Sequence, residues 1–292
     1  MNQSDLKCSV ALCTYNGEKY LAELLDSVLS QSFPASELVV VDDCSADGTV
    51  LLLQEYAARF PQLRLIVLEE NLGPVGAFQR AIQSTTHSFV FLADQDDIWK
   101  LNKIETMLLA VRDCPQDKPL LAYSDLEVID KKGEKQNPSF WKMAGLQPHR
   151  ATFRSLMFGN VVTGCATLMN AKMKELLSSI PSGVLMHDHW IGLIGYGFGK
   201  VILVDEPLVR YRAHADSVTE KNHSSLLWKI QVQLHQIFNE SSDFLIKEIN
   251  QIALFDQQFG RFLSPEKQKH VQRFLALRYK SLIKRKLVSY LR

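Results

Sequence analysis

The first hundred residues alternate short runs of Val, Leu and Ile with stretches whose apolar positions recur at helical spacing. Ser9–Cys13 reads as a buried strand. Tyr20, Leu21, Leu24, Leu25, Val28 and Leu29 then fall on one face of a helix. Leu38–Val41 is apolar at every position, as a strand buried on both faces is. Val50–Phe60 predicts a helix that Pro61 stops. Leu63–Leu68 predicts a third strand, Gly76–Ser84 a short helix, Phe89–Ala93 a fourth strand and Lys100–Val111 another helix. Strand and helix alternating in this way build βαβ units. The expectation is an α/β fold with a doubly wound, mostly parallel sheet.

Past residue 120 the rhythm changes. Leu120–Tyr123, Glu127–Ile129, Thr163–Met169 and Lys200–Val204 predict strands, with a helix over Lys172–Ile180. Lys131–Gly133 and Asn137–Pro138 mark turns. From Ser224 onward the pattern is helical, with one break at Ser264-Pro265. This divides the chain into a catalytic-type domain over residues 1–220 and a helical C-terminal extension over 221–292.

The composition of the 292 residues, 46% hydrophobic and 22% charged, is that of a globular protein and excludes wholesale disorder. Lys+Arg (33) and Asp+Glu (32) nearly cancel, which argues against a general nucleic-acid coat. The charge is uneven, however. Residues 261–292 carry ten basic residues and the single acid Glu266, a local +9, and subtracting that from the overall +1 leaves −8 for residues 1–260. No apolar run reaches the ~18 residues of a membrane span. Met1–Lys7 lacks a signal-peptide core. Cys8, Cys13, Cys44, Cys114 and Cys165 form no CxxC pair and read as reduced thiols of a cytoplasmic protein.

In an open parallel sheet, ligands bind beyond the carboxyl ends of the strands. Thr14-Tyr15-Asn16-Gly17 follows the first strand, Asp42-Asp43-Cys44-Ser45 the second, and Asp94-Gln95-Asp96-Asp97 the fourth. Five carboxylates thus converge on one sheet edge. Such crowding costs stability unless a cation offsets it, and a hard divalent ion is the natural partner. The alternative is helix capping, which suits Asp47 but accounts for one of the three acids at 94–97 and not all three. Gly195-Tyr196-Gly197-Phe198-Gly199 is no dinucleotide fingerprint, because it precedes a strand. Ser45 in place of an aspartate removes an aspartyl-phosphatase reading of Asp47-Gly48-Thr49. There is no P-loop and no nucleophile elbow.

Four segments in register, CSVALCTYNGEKYLAELLDSVLSQSF, LVVVDDCSADGT, NLGPVGAFQRAI and FVFLADQDDIW, resemble the family 2 inverting glycosyltransferases of the GT-A fold. With LLAYSDLEVID after it, the DQDDIW form is most similar to the rhamnosyltransferase-like branch that builds bacterial surface polysaccharides such as O-antigen. The resemblance runs from about Cys8 to Thr219. It implies a metal-dependent hexosyltransferase that uses Mg²⁺ or Mn²⁺ and a dTDP- or UDP-sugar, with L-rhamnose the expected sugar. The implied acceptor is a growing, lipid-linked saccharide.

Carried over by position, Thr14, Tyr15, Asn16 and Asp43 match the nucleotide site. Asp94 lies near ribose and metal, Asp96 ligates the metal, and Asp97 supports it. Arg210, Arg212 and His214 match a basic segment over the diphosphate, with His214 a further metal ligand. Asp188 matches the catalytic base, and His187 stands where the family carries Glu. A carboxylate base acting on one face gives single displacement with inversion. A silent sugar-nucleotide-binding module and a nucleotidyltransferase are the rival readings. Trp99 and Trp190 are open between sugar stacking and core packing. Lys280, Lys284, Arg285, Lys286 and Arg292, interleaved with apolar residues, read either as a solvated helix face or oligomer contact or as a basic amphipathic helix on the cytoplasmic face of the inner membrane. No nucleic-acid partner is expected.

Overall fold

The computed structural model describes residues 7–213 and 245–280, together with Arg285. Strands β1 (Cys8–Thr14), β2 (Glu37–Asp42), β3 (Leu63–Val67) and β4 (Phe89–Asp94) form a parallel block in the order β3-β2-β1-β4. Helices α1 (Glu18–Leu29), α2 (Thr49–Arg59) and α3 (Gly73–Ser84) make the crossovers. The period-two alternation of a strand divides the block's side chains between two cores. Val10, Leu12, Leu38, Val40, Phe89 and Phe91 pack with α1, α2 and α4 (Lys103–Val111). Ala11, Val41, Val90 and Leu92 face α3. The doubly wound arrangement expected from the sequence is therefore present. Trp99, on the two-residue strand β5 (Ile98–Trp99), is a core residue of the α4 side, 3% exposed.

The second half extends the same sheet. β6 (Leu120–Ile129) runs as one strand where two were expected, and its register against β9 (Lys200–Arg212) shifts at Ser124–Leu126. The polar Ser124 and Asp125 interrupt the apolar pattern, yet Asp125 is satisfied internally by Ser139 Oγ and the Leu126 and Trp141 N–H groups. A strand can carry such residues when their polar groups are paired. β8 (Thr167–Asn170) bridges β4 and β6 antiparallel to both, β5 pairs with β9, and β7 (Lys135–Asn137) pairs with β6. β9 is longer than its apolar run, because its far end is a sheet partner of β5 and β6 rather than a half-buried surface strand.

Helix α8 (His187–Phe198), which follows the short helices α5 (Phe140–Ala144), α6 (Phe153–Leu156) and α7 (Ala171–Leu176), is apolar all round. It is covered on both sides, the case in which such a helix is stable. Gly195 sits against Leu121, leaving no room for a side chain. The opposite flank meets α9 (Ile246–Phe259) and α10 (Pro265–Leu275) of the C-terminal segment. Phe255 is fully buried, its ring 5.4 Å from Trp190 and 5.7 Å from Phe153. Trp190 is thus a core residue with no exposed surface. The break at Ser264-Pro265 starts α10, with Ser264 Oγ accepting from the Lys267 N–H. Lys267 Nζ then donates to the Tyr196 and Gly197 carbonyls, placing a cation at the C-terminal end of α8. No helix among the described residues is long and apolar enough to cross a membrane.

Candidate active site

A cleft of about 510 Å³ opens at the carboxyl edge of the parallel block. Thr14, Tyr15, Asn16, Asp43, Asp94, Asp96 and Asp188 all line it. Three loops build its floor. The loop after β1 is stapled to the loop after β2: Asn16 Oδ1 accepts from Ala46 N–H, Ser45 Oγ from Asn16 N–H, and Thr49 Oγ1 from Gly17 N–H. Asp47 accepts from the Thr49 and Glu18 N–H groups, so it ties down the starts of α2 and α1 together. Asn16 (φ 47°) and Cys44 (φ 66°) sit in the left-handed region, where the two loops turn over the sheet edge.

Buried Asp42 accepts from Thr14 Oγ1 at 2.7 Å and Ser45 Oγ at 2.6 Å. Asp43 Oδ1 accepts from Leu72 N–H, and Asn71 donates to its carbonyl. Tyr15 presents its ring at the cleft mouth, held by a two-way pairing of its backbone N–H and C=O with the Gln95 amide. Sequence reasoning passed over Gln95, yet it links the loop after β1 to the acidic loop after β4.

The acids of that loop face two ways. Asp94 and Asp96 line the cleft, and Asp97 is buried behind them. Burial first, then the charges of Asp96 and Asp188, push the Asp94 carboxyl up to about 7. Asp94 and Asp188 therefore sense each other across one cleft. Asp97 is raised well above the ordinary range, again by burial first and then by Asp96 and Asp94. Behind this pair stands Lys103, fully buried, which donates to the Cys165 carbonyl and lies over the Trp99 ring. Burial lowers it to about 7, against the opposite pull of Cys165, Asp97 and Asp94. One ligand atom each from Asp94, Asp97 and Cys165 lies within 4.8 Å of the others. Burial and the two aspartates hold the Cys165 thiol protonated, and Lys103 supplies the cation on that side. The all-oxygen pair Asp94 and Asp96 faces the cleft, where mutual repulsion calls for a countercharge, so it fits a hard divalent ion.

Asp188 lies in the first turn of α8. Burial raises it to about 6 despite N–H donors from His189 and Gly164. His187 is buried and stacked on Phe78 with centroids 3.9 Å apart, and burial pushes it down to about 3. The position at which the family carries Glu thus brings no charge. Burial lowers His189 too, and both of its ring nitrogens are engaged, one with the Leu156 carbonyl and one with Gln251. Gln251, on α9 and fully buried, also accepts from Leu185 N–H. The C-terminal segment therefore grips the start of the helix that bears Asp188, a role no motif revealed.

The basic residues correct the reading from resemblance. Arg212 does not face the cleft. Its side chain is 1% exposed, its guanidinium bonded to Glu23 and to the carbonyls of Asp96, Asp130 and Lys131. Each of the three guanidinium nitrogens is engaged inside the protein rather than turned to a diphosphate. Arg210 pairs with Glu127 and the Gly133 carbonyl and is not among the lining residues. His214 lies outside the described residues. Lys19 is the one Lys or Arg among the described lining residues.

The glycosyl transferase family 2 model matches residues 9–154, half of the chain and the whole of this acidic edge. The chain belongs to glycosyl transferase family 2. Its relatives include TuaG of Bacillus subtilis (strain 168), assigned as a teichuronic acid biosynthesis glycosyltransferase, 28% identical over 80% of this chain and 87% of that protein. The amylovoran biosynthesis glycosyltransferase AmsB of Erwinia amylovora is 26% identical over 79% of each. TarS of Staphylococcus aureus (strain Mu50), a poly(ribitol-phosphate) β-N-acetylglucosaminyltransferase, is 41% identical over 95 residues, 32% of this chain and 16% of TarS.

Among solved structures, TarS residues 1–349 with UDP-GlcNAc superimposes with a TM-score of 0.58 at 19% identity, covering 93% of this chain and 80% of that one. The mannosyltransferase PcManGT of Pyrobaculum calidifontis, in complex with GDP-Man and Mn²⁺, gives 0.55 at 17% identity, covering 97% and 79%. These likenesses show the GT-A fold. The family 2 glycosyltransferase described here thus has the fold that its sequence predicted.

Proposed function

We propose that this glycosyltransferase moves a sugar from a nucleoside-diphosphate donor to a hydroxyl of a bacterial surface glycan, with inversion. The observation that supports this reading is that Asp188 and Asp94 meet across one cleft whose other wall is the Thr14–Gly17 and Asp43 loops. Relatives of this chain carry names from teichuronic acid, amylovoran and poly(ribitol-phosphate) synthesis. Structural neighbours hold UDP-GlcNAc or GDP-Man. In this reading Thr14, Tyr15, Asn16 and Asp43 hold the nucleoside, with Asp42 fixing the Thr14 hydroxyl.

Asp94 and Asp96 would hold Mg²⁺ or Mn²⁺, which when bound neutralises the departing diphosphate. Asp188, ionised at neutral pH, accepts the acceptor hydroxyl's proton as that oxygen attacks the anomeric carbon. L-Rhamnose from dTDP and a lipid-linked acceptor are the finer assignments. The exposed Tyr279 and Lys280 begin the basic stretch proposed to meet the cytoplasmic membrane face. Arg285 of that stretch is buried and donates to the Leu277 and Arg278 carbonyls, so it is not one of the membrane cations. Lys284, Lys286 and Arg292 lie outside the described residues.

The test is a thermal-shift screen of dTDP-, UDP- and GDP-sugars, each with Mn²⁺ and with EDTA. A ligand that binds the native state raises Tm by mass action. A metal-dependent rise with one base and sugar supports the reading. No rise with any nucleotide would overturn it, and binding without transfer to any saccharide would make the protein a silent binder.

A further inference from the structure

Arg212 is an almost fully buried arginine, and its contacts join the Asp94–Asp97 loop to two other parts of the chain. Its Nε donates to the Asp96 carbonyl at 2.8 Å. Its backbone N–H donates to Asp97 Oδ1 at 3.0 Å. One terminal nitrogen reaches the Asp130 and Lys131 carbonyls at the turn after β6, at 3.4 and 3.3 Å. The other donates to Glu23 Oε2 on α1 at 2.8 Å, and the guanidinium carbon lies 4.3 Å from the centroid of the Tyr20 ring. β9 ends at this residue, so one side chain joins the end of the sheet, the first helix and the turn after β6 to the backbone of Asp96.

We infer that Arg212 is a positioning residue that presets the Asp94–Asp96 loop for its divalent ion, rather than a ligand of the diphosphate. Three observations carry this. The side chain is 1% exposed and turned away from the cleft that Asp96 lines. Its guanidinium holds the Asp96 carbonyl, while its main-chain N–H holds the side chain of the next residue, Asp97. The same guanidinium is held to α1 by Glu23 and to the turn after β6 by the Asp130 and Lys131 carbonyls, so the Asp96 backbone is tied to two fixed elements at once. A guanidinium suits the task because it is planar, always charged and able to donate in several fixed directions at once, whereas an ammonium is a point charge. Metal ligands are commonly set by contacts one shell further out, whose loss typically costs 10–100-fold in metal affinity. The inference rests on the proposal that Asp94 and Asp96 hold the metal.

The experiment measures Mn²⁺ affinity of the full chain directly, by electron paramagnetic resonance of free Mn²⁺ at fixed UDP, for wild type, Arg212→Lys and Glu23→Ala. Melting temperature is recorded alongside. The expected result is at least a tenfold loss of Mn²⁺ affinity in Arg212→Lys, at a melting temperature that shows a folded protein. Glu23→Ala removes only one anchor at a half-exposed site and should lose Mn²⁺ affinity severalfold. If Arg212→Lys does not fold, Glu23→Ala decides. Wild-type Mn²⁺ affinity in every folded variant would overturn the inference. Failure of the wild type itself to bind Mn²⁺ would instead remove the metal reading on which it rests.

Discussion

Asp188→Asn tests the chemistry most directly. The substitution keeps the shape of the side chain and its place in the first turn of α8, but the amide cannot take a proton. In the wild type, burial raises the carboxyl to about 6. A group with that value is about nine-tenths ionised at pH 7 and about one-tenth at pH 5. Transfer should therefore rise about tenfold between those limits on the acid side of its pH profile. General-base catalysis is typically worth ~10²–10⁴ in rate, or about 3–6 kcal/mol at about 1.4 kcal/mol per decade. Asp188→Asn should lose at least the lower figure, and whatever rate remains should lack the acid limb near 6. The Asp188 charge reaches Asp94 across the cleft, so a cation held by Asp94 and Asp96 would sit within its range. Saturating Mn²⁺ should thus favour the ionised base and move the limb to lower pH. The assay pairs transfer to a saccharide acceptor across pH 5–8 with donor affinity by calorimetry. Turnover within fivefold of wild type would refute the assignment of the base. Lost donor binding would place Asp188 in the nucleotide site or the fold.

Asp96→Ala should abolish Mn²⁺ binding and transfer while leaving a folded protein, read by calorimetry and circular dichroism; metal-independent transfer by the wild type would sink the expectation. Asp94 titrates near 7 in the fold and near its ordinary acid value when unfolded, so its contribution to stability is fully present below about pH 4 and lost as pH rises through about 7. Asp94→Asn should accordingly raise the Tm of chelated protein at pH 8 and bring no gain at pH 4, as thermal melts would show. Phe255→Ala should cost about 3–5 kcal/mol in denaturant unfolding, because the ring fills the seam between α8 and the C-terminal segment. Gln251→Leu should cost about 1–3 kcal/mol by leaving His189 and the Leu185 N–H without their partner, and should slow transfer more than it weakens donor binding.

The sequence by itself determined the parallel block, the positions of its loops and the gathering of Thr14, Asp43, Asp94 and Asp96, while Asp188 came only through the resemblance. All but Asp188 follow from local pattern: apolar runs make buried strands, and the residues just beyond a strand stand at the sheet edge whatever the rest of the chain does. The tertiary structure decided what each charged group does there. Arg210 and Arg212 lie in one basic stretch, and spacing along a strand could not reveal that Glu23, 189 residues away, claims the second guanidinium. Lys103 reads as an ordinary cation in the first turn of a helix, yet it is fully buried behind the acidic loop and donates to the Cys165 carbonyl. His187 and Asp188 both line the cleft but differ in fate, one stacked on Phe78 and held neutral by burial, the other a carboxyl raised only to about 6. Gln251 carries no motif at all. Burial and long-range pairing fix whether a polar group is a ligand, an anchor or a bystander, because both depend on which segments meet in space and a residue's near neighbours in sequence do not encode that meeting.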